Sequence, residues 1–326
     1  MISKFVLVFI VAILAASLIV AILILPDLGR TLFLLNNKSN FISRSPVVKV
    51  PNIALIKPTF TGAAYHNSFY KFYFIHVSLP HVRKNVTTTL NLLSSKVTNQ
   101  TSKSASNYTF IYLPEHLKTI LPNSNIHVLT DVDADYGSIF FNNGTNKYDV
   151  VILGHQEYET QKEYDNLKRF VANGGTMILM DGNVFYAQVK YNRNAHTITL
   201  VKGHGWAFNG KSAWRSVGER WPNETSQWVG SNYLCYSCNV TFSNNPFNYK
   251  HHEEQYVTNP KDLILLNYNA LITKKDSKPE KILIATYTLN YKKGKVIDLG
   301  IYSDDIITNR KFIKYFDSLL LRYLKV

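Results

Sequence analysis

Cysteine is almost missing from this chain: of 326 residues, only Cys235 and Cys238 are cysteines. A lone Cys-Tyr-Ser-Cys pair excludes a disulfide-stapled scaffold and a zinc ribbon, which needs a second pair. The pair does not open a helix after an apolar strand, so a thioredoxin-type redox centre is excluded as well. A local Cys235–Cys238 disulfide is the expectation in an oxidising compartment, with free thiols as the alternative. Long runs of one charge are also missing. The net charge is +14, yet the lysines are scattered and cluster no further than pairs such as Lys274-Lys275 and Lys292-Lys293. That pattern speaks against a nucleic-acid-binding arm and for a solvated basic surface near acidic lipid or an acidic envelope layer. No Gly-X-Ser-X-Gly elbow is present, which argues against acyl-enzyme chemistry. Charged residues are few at 18%, whereas 46% hydrophobic and 13% aromatic residues are ample for a packed core and rule out disorder.

One long apolar run is present. Residues 5–25, from Phe5 to Leu25, carry no charge and a single polar side chain, Ser17. As a helix the segment measures about 31 Å at about 1.5 Å per residue, matching a hydrocarbon core of about 30 Å. The run continues well past Ala15-Ala16-Ser17, so an uncleaved signal anchor is expected rather than a cleaved signal peptide. Lys4 and the α-amine precede it, while Asp27 and Arg30 nearly cancel after it. This points residues 1–4 inward and leaves the body outside a cell membrane crossed once. Residues 26–50 read as a polar tether. Sequons at Asn37, Asn85, Asn99, Asn107, Asn143, Asn223 and Asn239 are candidate glycosylation sites.

Residues 51–326 are expected to form one extracytoplasmic α/β domain. Asn52 to Lys57 is an apolar run between prolines, and Ile126 to Thr130 is a second strand. The clearest unit follows. Tyr148 to Leu153 is a strand, residues 154–158 form its exit loop, and Glu159 to Asn173 is an amphipathic helix. Gly174-Gly175 stops that helix, and Thr176 to Met180 is the next strand. Strand–helix–strand over this length predicts parallel strands with a right-handed crossover. Ligands of such sheets bind beyond the carboxyl ends of the strands. Tyr65, His155, Glu157 and Asn183 all sit just past such ends, so they are expected to share one crevice. Residues 83–107 read as an exposed insertion or a weak helix. Residues 196–260, which hold all four tryptophans, read as an irregular insertion over the sheet. A hairpin through Tyr291 to Gly294 and an amphipathic helix from Asn309 to Leu324 close the chain.

Several of these segments resemble a known family: Pro58 to Tyr65, Thr130 to Asp135, Asp149 to Tyr158, and Phe170 to Tyr186. The most specific part is Gly154-His155-Gln156-Glu157-Tyr158, followed at the right spacing by Gly174-Gly175 and Gly182-Asn183. They resemble the C-terminal domain of the N,N-dimethylformamidase large (beta) subunit, within the class I glutamine-amidotransferase-like group. The resemblance implies a flavodoxin-like, mostly parallel sheet with helices on both faces. It implies an amidohydrolase whose iron centre is held by two tyrosines and a glutamate, beside a His and an Asn. By motif, Tyr65 is then a tyrosinate ligand and Glu157 the carboxylate ligand, with His155 and Asn183 orienting water or the amide carbonyl. Iron or another divalent or trivalent metal is the implied cofactor, and a small amide the implied substrate. One departure stands out. The stretch where the second tyrosine should lie reads Val77-Ser78-Leu79-Pro80-His81-Val82, with no tyrosine beside it. His81 is the candidate replacement, Tyr73 an alternative, and loss of the metal site a third.

Each residue also has a plainer reading. His155 and Glu157 fit a loop that caps the next helix, because a carboxylate near a helix N-terminus is favoured by the dipole alone. Tyr65 fits a packed tyrosine, and Asn183 a turn residue tolerating a left-handed backbone. Asp131-X-Asp133-X-Asp135 lacks the Gly and Glu of a calcium loop. His251-His252-Glu253-Glu254 reads as an exposed polar run, and the tryptophans as satellite packing. Two functional classes remain: a metal-dependent hydrolase of linear amide C–N bonds, and a non-catalytic envelope module that keeps the fold.

Overall fold

The computed structural model describes residues 50–66, 68–76, 85–87, 93–98, 107–181, 184–203, 205–208, 212–215, 219–233, 238–243, 255–257, 263–265, 269–274, 287–300 and 302–324. All lie in one compact unit, Val50–Val326. The expected anchor at 5–25, the tether up to Lys49 and the sequons Asn37 and Asn99 fall outside the described residues. So do His81, Asn183 and Cys235. No described helix is long and apolar enough to cross a membrane.

Five parallel strands organise the body. In chain order they are Asn52–Lys57, Asn125–Thr130, Val150–Leu153, Thr176–Leu179 and Gly294–Asp298. Their order across the sheet is 2-1-3-4-5, and Tyr287–Tyr291 and Leu263–Leu265 extend the fifth edge antiparallel. This is a doubly wound order, with its switch point between the first and third strands. Ile53 pairs with Ile126 on one side and Val150 on the other, and Thr176 joins Val150 to Lys295, so one register runs across all five.

Both faces of the sheet are covered, which explains why its strands read as continuous apolar runs. Ile53, Leu55, Ile152 and Ile297 point to one face, beneath the helices Asn107–Ile120 and Arg310–Leu324. Ala54, Ile56, Val151, Leu153 and Val296 point to the other, beneath Gln161–Ala172 and the indoles of Trp221 and Trp228. The alternation is the two-residue period of the strand. Asn309 starts the last helix by accepting the Lys311 and Phe312 amides at 2.9 and 3.3 Å. Gly294 lies where an added Cβ would sit 2.0 Å from the Val171 carbonyl oxygen and 2.5 Å from that of Gly175. The closing hairpin therefore tucks under a helix end with no room for a side chain.

Three segments differ from the expectation, and a fourth adds a helix to it. Asp131–Tyr136, to which the sequence assigned no element, is a short helix closed by a capping box between Thr130 and Asp133 and by left-handed Gly137. Tyr158–Thr160 is a strand, and the following helix begins at Gln161 with Thr160 as its N-cap. The described parts of 83–107 contribute strands, Asn85–Thr87 and Ser94–Lys96. Within the expected irregular insertion 196–260, Thr197–Gly203, Trp206–Phe208 and Ser212–Arg215 are strands of an ordered second sheet. Its path runs Asn85–Thr87, Ser212–Arg215, Trp206–Phe208, Thr197–Gly203, Ala187–Asn192 and Tyr158–Thr160, with Ser94–Lys96 also paired to Thr197–Gly203. A third core fills the space between this sheet and the helices Thr59–Tyr65 and Ser68–His76, using Phe60, Phe69, Phe72, Tyr158 and Trp206.

Candidate functional site

Three strand ends build the cluster. The first strand leads into the helix Thr59–Tyr65, whose last residue is Tyr65. The third strand exits at Leu153 into the loop carrying His155 and Glu157, and the fourth exits at Leu179 toward Asp181. Tyr65 Oη lies 2.7 Å from His155 Nε2 and donates to Glu157 Oε2 at 2.5 Å. His155 Nδ1 lies 3.1 Å from Asp181 Oδ2, and the other Asp181 oxygen accepts the Ser303 amide at 2.6 Å. His155, Glu157 and Asp181 are buried, and Tyr65, half-buried, is the most exposed of the four.

A proton count constrains this chain of groups. The contacts Asp181–His155, His155–Tyr65 and Tyr65–Glu157 each need one proton. A charged imidazole with a neutral phenol supplies three, and so does a neutral imidazole with a protonated Glu157. Either way the four groups carry a net charge of −1. Burial, followed by the neighbouring Glu157 charge, pushes the Tyr65 phenol well above its ordinary pKa. The phenol therefore keeps its proton unless a cation takes that place.

The supporting contacts are equally specific. Thr61 Oγ1, on the Tyr65 helix, accepts both the Glu157 and Tyr158 amides, at 3.0 and 3.1 Å. Phe185, Tyr186 and Ala187 donate their amides to the Gln156 and Glu157 carbonyls. Phe185 holds a left-handed backbone, φ 58°, although bulky and fully buried, a conformation that marks strain beside functional loops. Gln156 Nε2 donates to the Ile56 carbonyl at 2.7 Å and approaches Asp131 Oδ1 at 3.4 Å. Asp131 Oδ2 accepts the Phe60 amide at 2.6 Å, at the start of the Tyr65 helix. Asp131 is thus a shared base for both arms of the site. It sits in a fully buried group with Glu159 and Glu163, and burial pushes the carboxyls of all three upward, that of Asp131 to about 7.

The structure thus brings Tyr65, His155 and Glu157 together. It adds residues that sequence reasoning missed. Asp181 was visible as an acid at a strand's carboxyl end, one position before Gly182-Asn183. Tyr70 lies edge-on to Tyr65 with ring centroids 4.8 Å apart, and contributes to the upward shift of its phenol. Its signal was an aromatic-dense helix, Ser68–His76, five residues on. Tyr302 packs edge-on against His155 at 5.6 Å. Tyr73, on the same helix as Tyr70, packs against Phe74. Among the described residues no three His, Cys, Asp or Glu side chains converge as a metal site. A cation here would depend on phenol oxygens, and the donors present, two tyrosines and a carboxylate, suit a hard ion.

Other expectations fall elsewhere. Asn143 and Asn223 are exposed; Asn85, Asn107 and Asn239 lie in the elements Asn85–Thr87, Asn107–Ile120 and Cys238–Ser243. Of the cysteine pair, only the backbone of Cys238 is described, at the start of that last strand. Trp206, Trp221 and Trp228 are packed in cores, with Trp228 Nε1 donating to Tyr164 Oη at 2.8 Å. A separate open cavity of about 540 Å³ lies over the helix Asn107–Ile120 and contains none of the cluster's side chains.

A family model described as N,N-dimethylformamidase beta subunit-like, C-terminal, matches residues 36–275, more than half of the chain. No curated protein matches. Solved structures with some likeness include a catalytic-mutant form of Gan42B, a GH42 beta-galactosidase from G. stearothermophilus, at 13% identity and TM-score 0.36. The match covers 83% of this chain and 30% of that one. The cold-adapted beta-galactosidase from Rahnella sp. R3 follows at 9% identity and TM-score 0.32, covering 82% of this chain and 31% of that one. The chain spans about a third of the length of these enzymes, and the likeness carries no argument about its chemistry.

Proposed function

This chain belongs to the N,N-dimethylformamidase beta subunit-like, C-terminal family, and on that premise we propose that it is a metal-dependent hydrolase of linear amide C–N bonds. The observation that carries the reading is the Tyr65–Glu157 contact at 2.5 Å, with His155 Nε2 at 2.7 Å from the same phenol oxygen. Tyr65, Glu157 and Tyr70 would hold the ion, Tyr70 standing in for the second tyrosine missing beside His81. Such an ion, iron or another hard cation, supplies Lewis acidity toward the amide carbonyl and its attacking water.

The chain's own groups account for the remaining tasks. Asp181 accepts a hydrogen bond from His155 Nδ1–H and so fixes the tautomer that presents Nε2 to the site. His155 Nε2 takes a proton from the attacking water and returns it to the departing amine. The rings of Tyr70 and Tyr302 wall the cluster and keep bulk water from it. The 2-1-3-4-5 strand order supports placing the fold in the flavodoxin-like, class I glutamine-amidotransferase-like group. Residues 5–25 would anchor the chain in the cell membrane with the body outside, where a Cys235–Cys238 disulfide and glycans on sequons are permitted.

One observation favours a second reading, a non-catalytic envelope module. Without a cation the cluster is already complete as a hydrogen-bonded chain, its phenol held neutral by burial. Metal analysis and an amide-hydrolysis assay separate the two. Near-stoichiometric iron or zinc, with dimethylamine released from N,N-dimethylformamide or a related small amide, and both lost in Glu157→Gln, is the expected result. A metal-free, well-folded wild type that hydrolyses no small amide sinks the hydrolase and leaves the module.

A further inference from the structure

The end of the sheet opposite the cluster has a chemistry of its own. There the closing hairpin turns at Lys292-Lys293, Lys295 is the second residue of the fifth strand, and the loop before the third strand carries Phe141 and Lys147. The register row Ile53, Val150, Thr176, Lys295 places these segments side by side along one edge. The Lys293 Cβ is 3.8 Å from where a Gly174 Cβ would sit, and Asn173 Nδ2 reaches the Gly144 carbonyl at 3.3 Å, which closes the gap between hairpin and loop. The last helix ends at the same edge, where Lys295 Nζ lies 5.1 Å over the Tyr323 ring, next to Arg322. Lys147, Lys292, Lys293 and Arg322 are exposed, and Phe141 presents 54% of its surface from the loop tip. Asp149, just before the third strand, is engaged by the Asn52 amide.

Two details show that this charge is held against a local cost. Lys292 occupies the left-handed region, φ 52°, in a tight hairpin turn where glycine or asparagine is the unstrained choice. Burial, and after it the Arg322 charge, hold the Lys295 ammonium below its ordinary pKa, while its Nζ donates to Asn290 Oδ1 at 2.7 Å. The chain also joins the body at this edge: the Pro51 carbonyl accepts the Asn125 amide, immediately after the tether that follows the apolar run 5–25.

We propose that this amino-terminal edge of the sheet, with Lys147, Lys292, Lys293, Lys295, Arg322 and the exposed Phe141, docks on an anionic lipid surface. Basic side chains meet the headgroups, Phe141 enters the interface, and half-buried Tyr291 and Tyr323 sit at headgroup depth. The docking is independent of amide hydrolysis, and it leaves the cluster at the far ends of the strands turned away from the bilayer.

The test uses the full chain with vesicles and nanodiscs of phosphatidylcholine, alone or mixed with phosphatidylglycerol. Amide exchange at 141–149 and 290–295 is expected to slow several-fold only with the anionic lipid, and to recover near 1 M salt, where screening acts within about 3 Å. The triple variant Lys147→Glu, Lys292→Glu, Lys293→Glu should exchange equally on both lipids. Flotation with anionic but not neutral vesicles would support docking while refuting the anchor. Flotation with neither overturns docking, as does equal exchange on both lipids or slowing that survives in the triple variant. Equal slowing by soluble polyglutamate on neutral discs would assign the edge to an acidic polymer and overturn the lipid assignment.

Discussion

Replacing Asp131 by asparagine should change how stability depends on pH. The Asp131 carboxyl is fully buried, and burial raises it from 3.8 to about 7 against the opposing pull of the Phe60 amide and the Gln156 and Thr59 side chains. Because the shift is upward, the native state holds a proton that the unfolded chain releases. The stabilisation is full below about pH 4 and is lost as the pH climbs through about 7. About three pKa units at about 1.4 kcal/mol each give a loss on the order of 4 kcal/mol by pH 8. Roughly one of these units is already lost by pH 5, which leaves about 2.7 kcal/mol; in a body of this size about 2 °C of melting temperature accompanies each kcal/mol, so the wild type should lose roughly 5 °C between pH 5 and pH 8. Asp131→Asn keeps an acceptor for the Phe60 amide but cannot ionise. Its melting temperature should fall much less, and at pH 8 it should equal or exceed the wild type. Glu159 and Glu163 are raised in the same direction and leave a residual slope. Thermal and urea unfolding from pH 4.5 to 8.5 measure both curves. A wild type that gains stability from pH 5 to 8, or a variant with the wild-type slope, would refute the reasoning.

Other perturbations have equally definite outcomes. Thr61→Val removes the acceptor shared by the buried Glu157 and Tyr158 amides and should cost about 2–4 kcal/mol in denaturant unfolding. Gly294→Ala drives a Cβ into the Val171 carbonyl oxygen and should cost roughly 3 kcal/mol or abolish soluble expression. Leu320→Ala, a fully buried position in the last helix, should cost about 2–5 kcal/mol. Asp181→Asn should lower amide hydrolysis by about 100-fold or more with little change in KM, since it frees the His155 tautomer while leaving Tyr65 and Glu157 unchanged.

The parallel core was readable because its signals are local. Val150 to Leu153 and Thr176 to Leu179 are buried on both faces and therefore apolar throughout, and Gly174-Gly175 stops the helix between them. The second sheet hid because its strands are short, rich in Thr, Lys and Ser, and drawn from segments as far apart as Ser94 and Thr199. No window of sequence carries that pairing. The helix Asp131–Tyr136 left little trace in the sequence, because the signature of so short a helix is mostly its capping box. At the site, His155 and Glu157 could be singled out by their place past a strand end. Tyr70 and Tyr302 could not, since aromatic residues on helix starts and faces usually just pack, and only the three-dimensional arrangement separates these two from the rest.

A single hydroxyl, that of Thr61, clamps the loop bearing Glu157 to the helix bearing Tyr65. The two arms therefore move as one rigid piece, and an incoming molecule meets a cluster whose spacing was set when the chain folded. Little reorganisation is left for binding to drive, so the preset spacing of the cluster, rather than induced closure, would decide which small molecules are accepted.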